Sequence, residues 1–148
     1  MKPSLLAALL VGSGLAGCDL PRDPEGTLQA VRGRELRVGV LNFGVNAEKD
    51  RPIVERLATS IGAKVTYVEG DAHALFEDLK RGRIHLVIGG VPKSTPFAKE
   101  LGLSKPLGPL HGAHEEDDRV VAVRPGENAF LLRVNQAIGE ASAERARP

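Results

Sequence analysis

The sequence predicts an α/β fold: a single three-layer lobe in which a mostly parallel sheet of about four to five strands lies between flanking helices. Three observations support this prediction. Short segments rich in Val, Leu and Ile alternate with longer segments whose apolar residues recur at helical spacing. The connections are only a few residues long, and Gly or Pro marks most of them. The order is β-α-β-α-β, followed by a returning strand and a C-terminal helix, which implies right-handed crossovers and parallel pairing of the first three strands.

The first strand is predicted over residues 35–42, where "ELRVGVLN" is rich in Val and Leu. The next segment, "FGVNAEKD", is predicted to be a loop. A helix follows over "RPIVERLATSIGA", whose apolar residues recur at helical spacing. Asp50 is expected to cap this helix, Pro52 suits its first turn, and Gly62 ends it.

The second strand is predicted over residues 64–70 and the third over residues 84–90. The helix between them is expected to begin after an Asp71 cap and to stop at Gly82. The third strand, "IHLVIGG", is almost entirely apolar, which indicates a strand covered on both faces. Its one polar residue, His85, is expected to have a structural role.

The remaining part of the lobe is predicted from a weaker pattern. The segment "TPFAKEL" favours a short helix, and several Pro and Gly residues follow it. Residues 119–125 predict the fourth, returning strand. A final helix is expected after Gly126, with Phe130 and Leu131 on its apolar stripe.

The N-terminal segment predicts a secretory signal over residues 1–18. Lys2 is followed by the apolar run Leu5–Val11 and then by small residues. The apolar run is too short for a permanent membrane helix, which takes about 20 residues. Gly12 to Gly17 also spell G-x-G-x-x-G, but a dinucleotide-binding turn needs a preceding strand, which is absent from the pattern here.

The end of this signal resembles the bacterial lipoprotein cleavage motif, Leu15 to Cys18. The resemblance implies that Cys18 becomes the mature N-terminus and carries a diacylglycerol and a fatty acyl chain such as palmitate. The protein would then be anchored to the cell membrane and face the periplasm or the extracellular side. Asp19 resembles a signal for retention in the inner membrane. An ordinary signal peptide that contains a Cys is the alternative, and this lone Cys excludes an internal disulfide.

The predicted organisation is therefore a signal peptide, a tether and lead-in over residues 19–33, a lobe over 34–140 and a flexible tail over 141–148. A net charge of +1, no Trp and one Tyr argue against nucleic-acid binding. No G-x-S-x-G or H-E-x-x-H motif and no nucleophilic Cys are present, so no catalytic residue and no enzyme activity are predicted. Beyond the lipid, no cofactor is expected.

The acidic segment "LHGAHEEDD" contains the residue types that bind metals. His111 and His114 lie beside Glu115 and Glu116. The loop has no evident rigidity to fix a coordination geometry, so a solvated loop is predicted and no metal site.

A ligand site is predicted where the parallel strands end, because open α/β sheets bind ligands beyond the carboxyl ends of their strands. Adjacent glycines would allow a ligand to approach the backbone, and Asn, Ser and Lys side chains would supply polar groups. The Thr95 hydroxyl lies in the same segment and would be available as well. Alternatively, the two glycines make only a tight exit turn and the Asn caps a loop. The candidate ligand-binding residues are Asn42, Phe43, Gly89, Gly90, Lys93 and Ser94.

The segments "LRVGVLN", "KVTYVEG" and "IHLVIGGVPKSTPFAKELGLSKPL" resemble the first lobe of the family 3 extracellular solute-binding proteins, of the type II periplasmic binding fold. The segment "RVVAVRPGENAFLLRVNQAI" resembles the strand and helix by which those proteins return to that lobe. The resemblance implies a membrane-anchored receptor of an ABC transport system that binds an amino acid or a similar small polar solute. An ABC permease would be its partner.

Two departures from that family affect the predicted activity. Between Pro106 and Arg119 the chain has only a short segment where the family inserts a second lobe. The family's carboxylate-binding Arg falls on Phe97, and Lys93 or Lys99 could supply only a point charge. One lobe offers half a cleft, so a dissociation constant on the order of 1 mM is expected unless a permease or a second copy covers the open face. The alternative is a degenerate single-lobe interaction module that binds a protein partner.

Overall fold

The computed structural model describes residues 20–41, 44–112 and 116–147. The signal peptide with Cys18, and the candidate residues Asn42 and Phe43, lie outside the described residues. The described strands are β1 (Glu35–Leu41), β2 (Lys64–Gly70), β3 (Leu86–Pro92), β4 (Gly102–Leu103), β5 (Gly108–Pro109) and β6 (Asp118–Val123). The helices are α1 (Thr27–Val31), α2 (Gly44–Ile61), α3 (Ala72–Lys80) and α4 (Asn128–Arg145), with a 3-10 turn at Ala98–Glu100.

The strands form one sheet in the order β2-β1-β3-β6-β4, with β5 also pairing to β6. Strand β1 pairs in parallel with β2 on one side and with β3 on the other. This confirms the β-α-β-α-β layer predicted from the sequence. The returning strand β6 runs antiparallel to β3, β4 and β5. The sheet has six strands rather than four to five because β4 and β5 are two-residue strands, too short to leave a periodic signal in the sequence.

Helices cover both faces of the sheet and confirm the three-layer architecture. The alternation of side chains along a strand sends neighbours to opposite faces. In β3, Leu86 and Ile88 pack into the core that includes α2 and α4, whereas Val87 and Val91 pack into the core that includes α3. All of these residues are buried, as expected for a strand covered on both sides.

Helix α2 differs from the prediction at its start. It begins at Gly44, within the segment predicted to be a loop, so Pro52 lies inside the helix and Asp50 does not cap it. Pro within a helix lacks a backbone N–H and normally favours a break. Here two polar side chains of the first half of the helix, Asn46 and Asp50, are buried and find partners in distant segments. These tertiary contacts override the local signal.

The lead-in segment is fastened to the start of α4. One oxygen of the Asp23 carboxylate accepts from the Leu28 N–H at 3.0 Å and the other accepts from the Phe130 N–H at 2.9 Å. The Glu127 carboxylate accepts from the N–H groups of Glu25 and Thr27, each at 2.8 Å. The predicted tether is therefore part of the lobe from Asp23 onward.

At the other end, α4 continues to Arg145 and buries Ala141. The helix thus extends into the residues assigned to a flexible tail. Within the described residues, no helix combines the length and the apolar character that a membrane crossing requires.

His85 has the structural role expected from the sequence. Its backbone N–H donates to the carbonyl of Arg37 at 2.8 Å, and its Nδ1 accepts from the Arg37 N–H at 3.0 Å. The imidazole therefore extends the pairing of β1 with the start of β3, and it does so only while Nδ1 is unprotonated. Burial, together with the nearby Arg37 charge, lowers the pKa of His85 to about 4, and the Glu35 carboxylate opposes that shift.

We expect acidification to destabilise the fold through His85. Because the pKa of the folded state is depressed, the unfolded chain binds more protons between about pH 6.5 and about pH 4. The contribution of His85 to stability is therefore complete above this window and is lost as the pH falls through it. His85→Asn keeps an acceptor for the Arg37 N–H without a titrating group. Urea unfolding across the window should show a weaker pH dependence for the variant, and identical profiles would contradict the assignment.

Candidate ligand-binding site

A cavity of about 440 Å³ lies where β1 and β3 end, and we call it the strand-end cavity. Leu41 of β1 and Gly90 and Pro92 of β3 form its base. The starts of α2 and α3, the turn after β3 and the loop after β5 complete its walls. Its volume is within the range of small-molecule sites, roughly 300–1,000 Å³. The structure thus places a cavity at the edge of the sheet that the sequence predicted.

A larger volume, about 770 Å³, lies over the outer faces of α2 and α4. Mainly polar and charged side chains line it, including Arg51, Arg56 and Glu140. Arg56 forms ion pairs with Glu140 and Glu144, and its surroundings are solvated. The strand-end cavity is the stronger candidate because ligand sites are concave and mostly apolar with few polar groups.

The walls of the strand-end cavity are predominantly apolar. The rings of Phe76 and Phe97 lie with centroids 5.1 Å apart and planes inclined by 59°, a favourable tilted arrangement. Leu110 and Pro96 extend the apolar surface. Among the described lining residues, His111 is the only one with a titratable side chain. Phe97, at the position where the family resemblance expects a carboxylate-binding Arg, therefore adds an aromatic wall to the cavity.

Asn46 holds the loop after β5 against the start of α2. Its Nδ2 donates to the His111 carbonyl at 2.9 Å, and its Oδ1 accepts from the His111 N–H at 3.0 Å. Asn46 is 3% exposed. Gly90 is required beside it, because a Cβ at that position would lie 3.0 Å from Asn46 Nδ2 and the backbone φ is +103°. This contact fixes one wall of the cavity.

Asp50 and Arg119 form a buried ion pair that contacts Gly89, the residue before the cavity-lining Gly90. Arg119 Nε donates to Asp50 Oδ1 at 2.6 Å, and the Gly89 N–H donates to Asp50 Oδ2 at 3.1 Å. The guanidinium also donates to the carbonyls of Pro109 at 2.6 Å and Leu107 at 3.4 Å. Asp50 is 0% exposed and Arg119 is 3% exposed. Burial raises the pKa of the Asp50 carboxyl, and the hydrogen bonds from Arg119 and Gly89 oppose that shift.

Gly89 and Gly90 lie inside β3, which continues to Pro92, and do not form an exit turn. Both have positive φ, and the pairing of β3 with β6 shifts register between Val87 and Val91. The two glycines therefore form a bulge. Gly90 lines the cavity, whereas the N–H of Gly89 is taken by Asp50.

Lys93 and Ser94 lie on the exposed turn after β3 and do not line the strand-end cavity. The Lys93 N–H donates to the Asp118 carbonyl, and both the N–H and the hydroxyl of Ser94 donate to the Asp117 carboxylate. Lys99, in the 3-10 turn, is also exposed. Of the predicted ligand-binding residues that the structure describes, only Gly90 is brought to the cavity.

Thr95, whose hydroxyl was expected at this edge from the sequence, lines the cavity, as do Asn46 and Phe76, which were not among the candidate site residues. Phe76 is buried on α3 and also lines the cavity, a second role that helical periodicity alone does not indicate. Asn46 lies in the segment predicted to be a loop, where no helical face could be assigned to it. In the segments that the structure describes, no group of three or more His, Cys, Asp or Glu side chains is arranged to hold a metal ion. His114 and Glu115 lie outside them.

The sequence matches no protein-family model and no curated protein. Solved structures share the fold. An arginine-bound form of domain 1 from TmArgBP is 21% identical with a TM-score of 0.61, over 72% of this chain and 92% of that one. The chain has the fold of one lobe of an amino-acid substrate-binding protein.

Two further structures show the same similarity. An amino-acid ABC transporter substrate-binding protein from Streptococcus pneumoniae, bound to L-arginine, is 10% identical with a TM-score of 0.67, over 80% of this chain and 93% of that one. An ancestral amino-acid-binding protein, a precursor of cyclohexadienyl dehydratase, is 14% identical with a TM-score of 0.66, over 80% and 95%. Where the resemblance expects an inserted second lobe, this chain has only residues 110–117 between β5 and β6.

We expect Asp50→Asn to lower the free energy of unfolding by about 3–5 kcal/mol, because it removes the charge that compensates the buried Arg119 guanidinium. Asp78→Asn is the matched control: it breaks the exposed ion pair with Arg83, which contributes little. Urea unfolding of both variants measures the difference. Equal losses would show that the buried pair does not organise this part of the fold.

Proposed function

We propose that the protein is an extracytoplasmic solute-binding protein of an ABC-type transport system, anchored to the cell membrane through acylated Cys18. The observation that carries this proposal is the strand-end cavity, which lies at the carboxyl ends of parallel strands in a lobe of the substrate-binding fold. Ligands of open α/β sheets bind at this edge. The described residues that line the cavity come from segments far apart in the sequence, from Leu41 to Gly112.

A single lobe is sufficient for solute capture under some conditions. The arginine-bound form of domain 1 from TmArgBP is an example in which one domain of a related fold is bound to its ligand. In this chain the strand-end cavity lies at the sheet edge over which, by the family resemblance, a second lobe would close on a solute. An ABC permease, or a second copy of the chain, would cover that edge and complete the burial of the solute. The isolated lobe would bind weakly, with a dissociation constant on the order of 1 mM.

The membrane anchor is proposed from the motif at Leu15 to Cys18. Each buried methylene of an acyl chain contributes about 0.8 kcal/mol, and more than one chain is needed for a stable anchor. A diacylglycerol with an additional fatty acyl chain on Cys18 meets this requirement. The mature lobe would then face the periplasm or the extracellular side, with the N-terminal residues as its connection to the bilayer.

An interaction module is the second candidate function. It is favoured by the short 110–117 connection in place of a second lobe, together with the apolar character of the cavity walls. In this case a side chain of a protein partner, rather than a free solute, would occupy the cavity. The two functions differ in whether any free small molecule stabilises the chain.

Solute binding should raise the melting temperature of the full chain. A solute at ten times its dissociation constant adds about 1.4 kcal/mol to the free energy of unfolding. Ala72→Phe places a ring in the strand-end cavity and should abolish the shift. Ala74→Phe is the matched control, because Ala74 is exposed on the same helix and does not line the cavity. If no small molecule in a panel of amino acids and neutral solutes shifts the melting temperature, the interaction module becomes the better proposal.

Cys18→Ser should release the protein from the membrane fraction, because the acyl chains have no other attachment site in the chain. Mass spectrometry of the wild-type protein should show the added lipid, and the variant should lack it. Ser13→Ala, which leaves the cleavage motif intact, should remain in the membrane fraction. A Cys18→Ser protein that stays membrane-bound would contradict the proposed anchor.

A further inference from the structure

We infer that the strand-end cavity binds a small neutral ligand with a flat apolar body and one hydrogen-bond acceptor, rather than a zwitterionic amino acid. This inference rests on the proposed function and specifies the class of solute. The Phe76 and Phe97 rings would contact the apolar body, and the hydroxyl of Thr95 would donate to the acceptor.

The size and walls of the cavity favour a ring-shaped ligand. An apolar cavity of about 150 Å³ accommodates benzene in another protein, so about 440 Å³ leaves room for a substituted ring. The tilted pair of Phe76 and Phe97 offers both a ring face and a ring edge to a bound aromatic group. Leu41 and Leu110 supply aliphatic contacts on other walls. These apolar walls favour an apolar ligand, because binding removes apolar surface of both from water.

The Thr95 hydroxyl supplies the one directional contact. Thr95 is 5% exposed, and its side chain lines the cavity. Its backbone is already satisfied: the N–H donates to the Pro92 carbonyl, and the carbonyl accepts from the Ala98 N–H. Its Oγ1 accepts from the Phe97 N–H at 3.4 Å, but within the described part of the chain it donates to no acceptor. Buried hydroxyl groups normally have a partner for their hydrogen, and a ligand oxygen would provide one.

The same walls disfavour an amino acid. A carboxylate needs a cation or several N–H donors, and among the described lining residues no Arg or Lys is present. The Asn46 amide already bonds the His111 backbone through both its oxygen and its nitrogen. The His111 Nε2 lies 2.6 Å from Lys49 Nζ, so this ring nitrogen already has a polar partner. A zwitterion entering the cavity would lose hydration without receiving compensating partners.

The test compares p-cresol with L-tyrosine, which carry the same hydroxyphenyl group and differ in the charged amino-acid portion. NMR chemical-shift titration of the full chain with Cys18→Ser, which has no acyl chain, measures both dissociation constants. We expect p-cresol to bind at least about tenfold more tightly than L-tyrosine, and L-arginine to bind no better than L-tyrosine. Toluene, which lacks the oxygen, should bind about fivefold more weakly than p-cresol, the contribution of one hydrogen bond. The shifted resonances should belong to residues around Phe76 and Phe97.

Two variants test separately the contributions of the Thr95 hydroxyl and of the aromatic wall to ligand affinity. Thr95→Val should reduce the affinity for p-cresol to that for toluene and leave toluene unchanged. Ser94→Ala is the matched control, because its hydroxyl bonds Asp117 outside the cavity. Phe97→Arg should weaken p-cresol binding and strengthen L-tyrosine binding, because it places a guanidinium in the wall. If Phe97→Arg does not fold, the affinities of Thr95→Val for p-cresol and for toluene still test the inference.

The outcomes separate this inference from the proposed function. Tighter binding of L-tyrosine or L-arginine than of p-cresol overturns the ligand class and leaves solute binding in place. Equal effects of Thr95→Val on p-cresol and toluene, or shifts confined to residues away from the cavity, also overturn the inference. If p-cresol and toluene do not bind, the inference is wrong; if the amino acids also fail to bind, the proposed solute-binding function fails with it.

Discussion

The buried contact of Asp50 with Arg119 and the Gly89 N–H joins three segments that are far apart in the sequence. These segments are helix α2, the bulge in β3 and strand β6, and the Arg119 guanidinium also holds the connection around β5. A buried ion pair contributes little net stability when it is compared with apolar packing, because both charges are desolvated. Its importance here is geometric. It allows α2 to begin before Pro52, and it holds Gly90 at the base of the strand-end cavity.

The bulge and the ion pair depend on each other. At Gly89 a side chain would approach the Leu41 backbone at 3.0–3.1 Å, and φ is +98°, so Gly is the residue that this position accepts. The shift in register between Val87 and Val91 turns the Gly89 N–H out of the ladder with β6. That N–H then needs a new acceptor, and Asp50 supplies it. The shape of the cavity base therefore depends on the bulge in β3 and on the hydrogen bond from the Gly89 N–H to Asp50.

More of the fold than of the candidate site could be predicted from the sequence. β2 and α3 were predicted because their periodicity and the Asp71 cap are local signals, and the structure has the cap at 3.0 Å. The predicted start of α2 was wrong, because Asp50 and Asn46 in its first half have hydrogen-bond partners 69 and 65 residues away. Strand order and the position of Thr95 directly after β3 are local signals that point to the sheet edge where the cavity lies, but Phe76 reaches the cavity from α3. A single sequence carries no periodic signal for such contacts.

The apolar cavity and the short 110–117 connection are physically consistent with each other. Recognition of a charged solute depends on excluding water around its hydrogen bonds and ion pairs, and in a two-lobed receptor closure achieves this. A lobe that lacks its counterpart leaves one side of such a ligand hydrated and gains little from polar contacts. Burial of apolar area is different. It contributes roughly 25 cal/mol for each Å² removed from water, whether or not the rest of the ligand surface is covered. One lobe with aromatic walls therefore retains part of its affinity where one lobe with a carboxylate-binding Arg would lose most of it. On this argument, an aromatic side chain such as Phe97 in that wall suits the proposed binding of a small molecule by an uncovered lobe better than the Arg that the family resemblance leads one to expect there.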